Sequence, residues 1–225
     1  MNFIETLKLW DTAFFLLLNG IHSTFFDGFM FAISAKLTWV PLYLALIFII
    51  IKSRKKEAVW IILALILCIV LADQISSGII KNLVQRLRPS HNEDLKDIVH
   101  LVHGSKSGMY GFVSSHAANA FGLATLTSLF FRNKLYSTII FLWAVSLAYS
   151  RIYLGVHYPL DVLGGGIVGV MVAFLLYLVV LKFRPTAIFH REKNEFANYS
   201  GFFIPLSVIG ISYFVIILYS IFIFQ

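Results

Sequence analysis

The sequence predicts an all-α, polytopic membrane protein: a six-transmembrane-helix bundle with an N-terminal interfacial amphipathic helix. Three observations carry that reading. Of 225 residues, 59% are hydrophobic and 13% charged, with 22 Phe, whereas a soluble domain of this length holds more charge and shorter apolar runs. Nearly uncharged stretches at 37–51, 58–72, 116–131, 135–149, 162–181 and 202–224 approach or reach the ~20 residues that cross a bilayer. The first twenty residues, by contrast, mix apolar and charged positions at helical spacing.

In chain order, residues 1–22 set Phe3, Leu7, Trp10, Phe14, Leu17 and Leu18 at helical spacing while Glu5, Lys8, Asp11 and Thr12 interrupt them, the pattern of a helix lying in the interface plane. A cationic leader and a small-residue cleavage site are missing, so a retained helix is expected in preference to a signal peptide. Transmembrane helices are expected over 28–51, 58–80, 115–131, 135–151, 159–182 and 202–224. The third and fourth reach full length only if residues beside them sit at the membrane surface. Residues 81–114 join the second to the third as a catalytic or substrate loop, and their polar stretch 88–111 has no evident secondary structure. Long connections of that kind are often functional, and this one is expected to cap a site and help select its substrate. Residues 1–225 read as one domain without an internal repeat.

Loop charge sets the expected topology. Lys52, Arg54, Lys55 and Lys56 occupy the first connection, Arg132 and Lys134 the third, and Lys182, Arg184, Arg191 and Lys193 the fifth; basic loops of this kind stay in the cytoplasm. Residues 80–115 and 151–161 then face the extracytoplasmic side of the plasma (inner) membrane. These anchors and an anion site account for the net charge of +7, so nucleic-acid binding is not required. Cys68 stands alone in a span, as a small core residue. His91, His100 and His103 have no cysteine partner and no ligand spacing to the neighbouring acids, which reads as a solvated loop and no metal site. Gly164, Gly165, Gly166 and Gly169 include a GxxxG pair, expected to pack their helix closely against the one that starts at His116.

Three short segments carry chemistry: Lys81 to Pro89 (KNLVQRLRP), Ser114 to His116 (SSH) and Ser150 to Asp161 (SRIYLGVHYPLD). Lys81 and Arg88, seven residues apart, can share one helical face that Pro89 then ends. Ser114 and Ser115 precede His116 at the start of an apolar stretch, where free N–H groups and the helix dipole favour phosphate. Asp161 follows His157 by four residues, so its carboxylate can fix the imidazole tautomer, and Pro159 suits the first helical turn between them. Together they describe a site for an anion at the membrane edge, with Arg151 as a further cation. Arg86 and Lys106 read as surface cations or weak secondary contacts. Asp73, a carboxylate near the end of a span, needs a partner, and a catalytic cation is the expected one.

In this order the segments resemble the signature of the type 2 phosphatidic acid phosphatase superfamily: Lys, six residues, Arg-Pro; then Pro-Ser-Gly-His; then Ser-Arg, five residues, His, three residues, Asp. Lys81, Arg88 and Pro89 match the first part, and Ser150, Arg151, His157 and Asp161 the third. In the second, Ser114 and His116 match, while Val113 replaces Pro and Ser115 replaces Gly; the Ser hydroxyl offers a donor in place of the lost backbone freedom. The resemblance spans residues 73 to 166.

The resemblance implies a metal-independent membrane phosphatase. His157, oriented by Asp161, would attack phosphorus to give a phosphohistidine. His116 would protonate the leaving oxygen and then activate water, with Lys81, Arg88, Arg151, Ser114 and Ser115 on the phosphate oxygens. No cofactor enters this scheme. The implied partners are the bilayer and a lipid phosphate or diphosphate; undecaprenyl diphosphate ranks first, with phosphatidic acid, phosphatidylglycerol phosphate and lipid A phosphate as alternatives. The rival readings are hydrolysis of a soluble sugar phosphate, a non-enzymatic lipid-phosphate transporter or binder, and a vanadate-dependent haloperoxidase. Both histidines argue against mere binding, and six spans against the haloperoxidase. Oligomeric state is not legible from the sequence.

Overall fold

The computed structural model describes residues 2–104, 107–187 and 200–224, so Lys106, Arg191 and Lys193 lie outside the described residues. Regular structure within them is helical: α1 (Phe3–Asn19), α2 (Thr24–Ser34), α3 (Val40–Arg54), α4 (Ala58–Asp73), α5 (Lys81–Val84), α6 (Ser115–Phe131), α7 (Lys134–Tyr153), α8 (Pro159–Phe183) and α9 (Phe203–Phe222), with a π-helical segment, Gln74–Ile80, joining α4 to α5. Local chemistry starts several of them. Asn2 and Glu5 close a reciprocal capping box on α1 (2.8 and 3.0 Å), and Asn133 Oδ1 accepts from Tyr136 N at 2.9 Å to cap α7; each satisfies donors the helix itself leaves free.

Among the described residues, four helical stretches are long and apolar enough to cross a membrane: Lys36–Val84, Lys134–Tyr153, Pro159–Phe183 and Phe203–Phe222. A fifth arises if α1 and α2, bent by 116°, form one broken span. Six were expected, and the difference has local causes. The segment expected as one helix over 28–51 is broken at Ala35, whose backbone is extended (φ −72°, ψ 127°). Thr38 Oγ1 and Trp39 Nε1 then donate to the carbonyls of Ala32 and Ile33, both at 2.7 Å, replacing the helical bonds lost there. The expected span 58–80 belongs to the same 49-residue stretch as α3, turned at Lys55 (φ 42°). Helix α6 has only 17 residues.

The outer surface is apolar: Leu63, Ile66 and Leu67 on α4, Met171 and Leu175 on α8 and Phe214 on α9 are all exposed. Such a surface belongs in a bilayer, where apolar side chains need no partner, and the protein is an integral membrane protein. Inside, α6 packs on α8 through glycine. A Cβ on Gly165 would be driven into the Ser114 carbonyl, and one on Gly169 into the Ala118 carbonyl and the Gly122 amide, so the GxxxG pair brings the two backbones together as expected.

The first and fifth basic connections meet at one end through their described residues. Arg54 Nη1 donates to Thr186 O (3.5 Å) and the Arg184 guanidinium lies 4.5 Å from the Trp60 ring centroid. From Pro159 to Phe183, 25 residues rise ~37 Å along α8, which sets this end opposite the His157 end. There, the stretch 88–104 is docked firmly. Leu95 and Val99 are buried with Phe15, Ile152 and Tyr158, and Asn19, itself 1% exposed, donates to Tyr153 O (2.7 Å) and His100 O (3.1 Å) while accepting from His100 N (2.8 Å). His100 is therefore no solvated loop residue: its Nε2 lies 2.8 Å from Asp27 Oδ1 and its ring stacks on His22 at 3.7 Å.

Overpacking at the α6–α8 contact is expected to be costly. Gly169→Val should destabilise the detergent-purified protein by about 1–3 kcal/mol, whereas Gly210→Ala, with open space around the added carbon, should leave the melting temperature within a degree or two; equal melting temperatures for the two variants would contradict the packing.

Candidate active site

The first chemical segment begins where helix α4 changes its winding. The π-helical turn Gln74–Ile80 leads into Lys81, whose Nζ lies 3.3 Å from Ser77 Oγ. Helix α5 then ends at Val84 because Gln85 adopts the left-handed conformation (φ 49°), four residues before the proline expected to end it. Lys81 and Arg88 consequently do not share a helical face. The chain instead runs extended, Leu87 pairing with Tyr110 as an isolated bridge. Arg88, 6% exposed, is locked there by the Tyr110 and Val156 carbonyls, which accept from its Nε (3.1 Å) and Nη1 (3.0 Å).

The second segment opens α6. Ser114 is fully buried; its Oγ accepts from Ala117 N (3.4 Å) as the N-cap, and its amide donates to Asp161 O (2.8 Å). Ser115 and His116, both partly exposed, face a cavity of 230 Å³ that is also lined by Ser34, Lys36, Trp39, Tyr43, Asp73 and Asn119. Asp73 joins none of the four ion pairs among the described residues, so the expected salt bridge to a catalytic cation does not form.

The third segment lies at the end of α7 and the start of α8. Arg151, 8% exposed, donates to Ser34 Oγ, tying it to the cavity wall. His157, 1% exposed, places Nδ1 3.3 Å from Asp161 Oδ2 and Nε2 3.0 Å from Arg88 Nη1. A guanidinium only donates, so Nε2 carries the lone pair and Nδ1 the proton, which points to the carboxylate. Burial, reinforced by Arg88, Arg151 and Lys81, holds the His157 pKa well below the ordinary imidazole range. The ring is therefore a neutral base with its lone pair aimed into the cationic cluster. Asp161 Oδ2 also accepts from Tyr158 N at 3.1 Å, so one carboxylate both starts α8 and orients the imidazole.

Two participants are absent from the sequence expectation. Arg86 is no surface cation: its Nη1 lies 2.6 Å from Asp11 Oδ2 and 3.2 Å from Asp161 Oδ1, with the guanidinium 3.8 Å from the Tyr158 ring centroid. Asp11, 4% exposed, further accepts from Leu160 N at 2.9 Å. Helix α1 thus buries Asp11, Phe15 and Asn19 at four-residue intervals while Phe3, Trp10 and Leu17 stay exposed. That stripe at i, i+4 and i+8, polar at both ends, was the available signal. Lys81, Arg88, Arg151, His157, Asp161 and His116 come together; Ser114 serves the helix, and Ser115 is the serine that faces the cavity. Chemically, a lone-pair nitrogen among cations suits attack on an anionic phosphoryl group.

Comparison with known proteins identifies the family. Residues 57–185 match the PAP2 superfamily. The lipid A 4'-phosphatase of Bacteroides thetaiotaomicron is 42% identical over 181 residues, 80% of each chain, and the undecaprenyl-diphosphatase of Sulfolobus acidocaldarius is 27% identical over 76% of this chain and 75% of that one. The crystal structure of the transmembrane PAP2 type phosphatidylglycerolphosphate phosphatase from Bacillus subtilis superposes with a TM-score of 0.62, covering 80% of this chain and 88% of that one at 23% identity, which shows the fold alone.

Removing the cation between two buried carboxylates should be severe. Arg86→Gln is expected to lower stability by about 3–5 kcal/mol, and Asp11→Asn in the same chain to recover part of that loss, because one of the two uncompensated charges is gone. Thermal unfolding in detergent decides it: a double variant no more stable than Arg86→Gln alone would show that Asp11 and Arg86 are not energetically coupled.

Proposed function

The chain belongs to the PAP2 superfamily and is a membrane lipid phosphatase, and we propose that its substrate is a lipid A phosphate hydrolysed through a phosphohistidine on His157. The expected ranking, with undecaprenyl diphosphate first, is thereby reversed. The observation that carries the new order is the 42% identity to a lipid A 4'-phosphatase along 80% of both chains, against 27% to an undecaprenyl-diphosphatase.

The geometry supports a two-step displacement. His157 Nε2 attacks phosphorus, the P–N bond forms and the bond to the lipid oxygen breaks, while His116 gives that oxygen a proton. Water then attacks the phosphohistidine, His116 takes its proton, the P–N bond breaks and inorganic phosphate leaves. Lys81, Arg88 and Arg151 neutralise the charge on the non-bridging oxygens, and Ser115 adds a donor. With three cations in place the transfer needs no metal, so chelators should leave activity intact. An apolar groove of 500 Å³, lined by Phe121, Val145, Ile152, Pro159, Leu163 and Met171 among others, starts two residues past His157 and suits an acyl tail. Six crossings, counting α6 and separating α3 from α4, with α1 along the interface, would put the site on the extracytoplasmic face of the inner membrane. The meeting of the first and fifth basic connections at the opposite end supports that orientation.

One assay tests the substrate and the side together. In right-side-out membrane vesicles, added lipid A phosphate should release phosphate at least about tenfold faster than undecaprenyl diphosphate, without permeabilisation and in the presence of EDTA, and His157→Ala should abolish release. Faster turnover of the diphosphate would restore the original ranking. Activity seen only after lysis would move the site to the cytoplasm.

A further inference from the structure

We propose that the cavity beside His116 is a saccharide subsite, in which Asp73 and Asn119 accept hydrogen bonds from the hydroxyl and acylamino groups of a sugar that carries the scissile phosphate. The proposal rests on the lipid A reading and specifies how such a headgroup is recognised. The cavity adjoins the phosphate site on two sides, through His116 itself and through Ser34, which accepts from Arg151. Its 230 Å³ falls below the ~300–1,000 Å³ that encloses a whole drug-sized ligand, so it takes a headgroup unit while the tails stay outside.

The lining selects the chemistry. Asn119 follows His116 by three residues and Ser115 by four, so all three share one face of α6. Its Oδ1 is buried and has no hydrogen-bond partner, and the Asp73 carboxylate stands in the same cavity outside every ion pair of the described residues. One acceptor is buried and the other, Asp73, is partly exposed; acceptors without partners call for donors. An ionised prenyl diphosphate brings hydrocarbon and further acceptors, and a phosphatidylglycerol phosphate headgroup brings a single glycerol hydroxyl beside its ester oxygens. A sugar ring brings O–H and N–H groups next to its phosphate.

Two soluble probes separate this subsite from the substrate assignment: N-acetylglucosamine 4-phosphate and glycerol phosphate, titrated calorimetrically into the detergent-purified protein. The sugar phosphate should bind about tenfold more tightly, a difference the size of one or two hydrogen bonds. Asp73→Leu and Asn119→Leu, each close in shape to the native side chain, should bring the ratio of the two dissociation constants toward one. Using the ratio cancels any general loss of folded protein. A ratio near one in the unmodified protein, or one unmoved by both variants, overturns the subsite. If the preference holds but lipid A phosphate is not hydrolysed, the subsite stands and the substrate assignment fails; hydrolysis without the preference gives the converse.

Discussion

Everything at the active end depends on keeping Asp161 ionised and fully satisfied inside an apolar bundle. A buried carboxylate without partners costs several kcal/mol, and Asp161 is 0% exposed. It meets His157 Nδ1, Tyr158 N and Arg86 through its side chain and Ser114 N through its carbonyl. These contacts draw together all three chemical segments and, through Arg86 and Asp11, helix α1. The approach leaves no room for larger residues: a Cβ on Gly111 would lie 2.6 Å from Asp161 Oδ2. Close packing of α6 on α8 is what delivers Ser114 to the same point.

Once Asp161 is satisfied, charge at the site does not balance. Asp11 and Asp161 share Arg86, and among the described residues no carboxylate lies within ion-pairing distance of Lys81, Arg88 or Arg151. Arg88 and Arg151 are held instead by neutral oxygens, the Tyr110 and Val156 carbonyls and the Ser34 hydroxyl. Such an excess of desolvated positive charge is retained at a cost, and a phosphate dianion relieves it. Burial, reinforced by the same field, keeps the His157 ring neutral. Cation surplus and unprotonated imidazole are thus two results of one arrangement.

Much of this was legible in local sequence. Spacing places Arg151, His157 and Asp161 together because the turn between α7 and α8 is short, and a GxxxG pair specifies close packing through backbone geometry alone. What escaped the sequence depends on partners far along the chain or on conformations that composition does not mark. Arg86 and Asp11 look like surface charges because their pairing spans 75 residues. The break at Ala35 lies inside an apolar run and is held by Thr38 and Trp39, which take up the freed carbonyls. Gln85 in the left-handed region carries no glycine or asparagine signal, so Lys81 and Arg88 were expected on one helix. Ser114 looked like a phosphate ligand because an N-cap and an anion site use the same residue types.

The covalent intermediate offers the most direct measurement. With His116→Ala in the chain and a substrate whose leaving group needs no protonation, ³²P should accumulate on the protein, and peptide mapping should place an acid-labile, base-stable phosphoramidate on His157. Label on another residue, or none while the variant still turns over, would contradict nucleophilic catalysis by the imidazole that Asp161 and Arg88 hold in place.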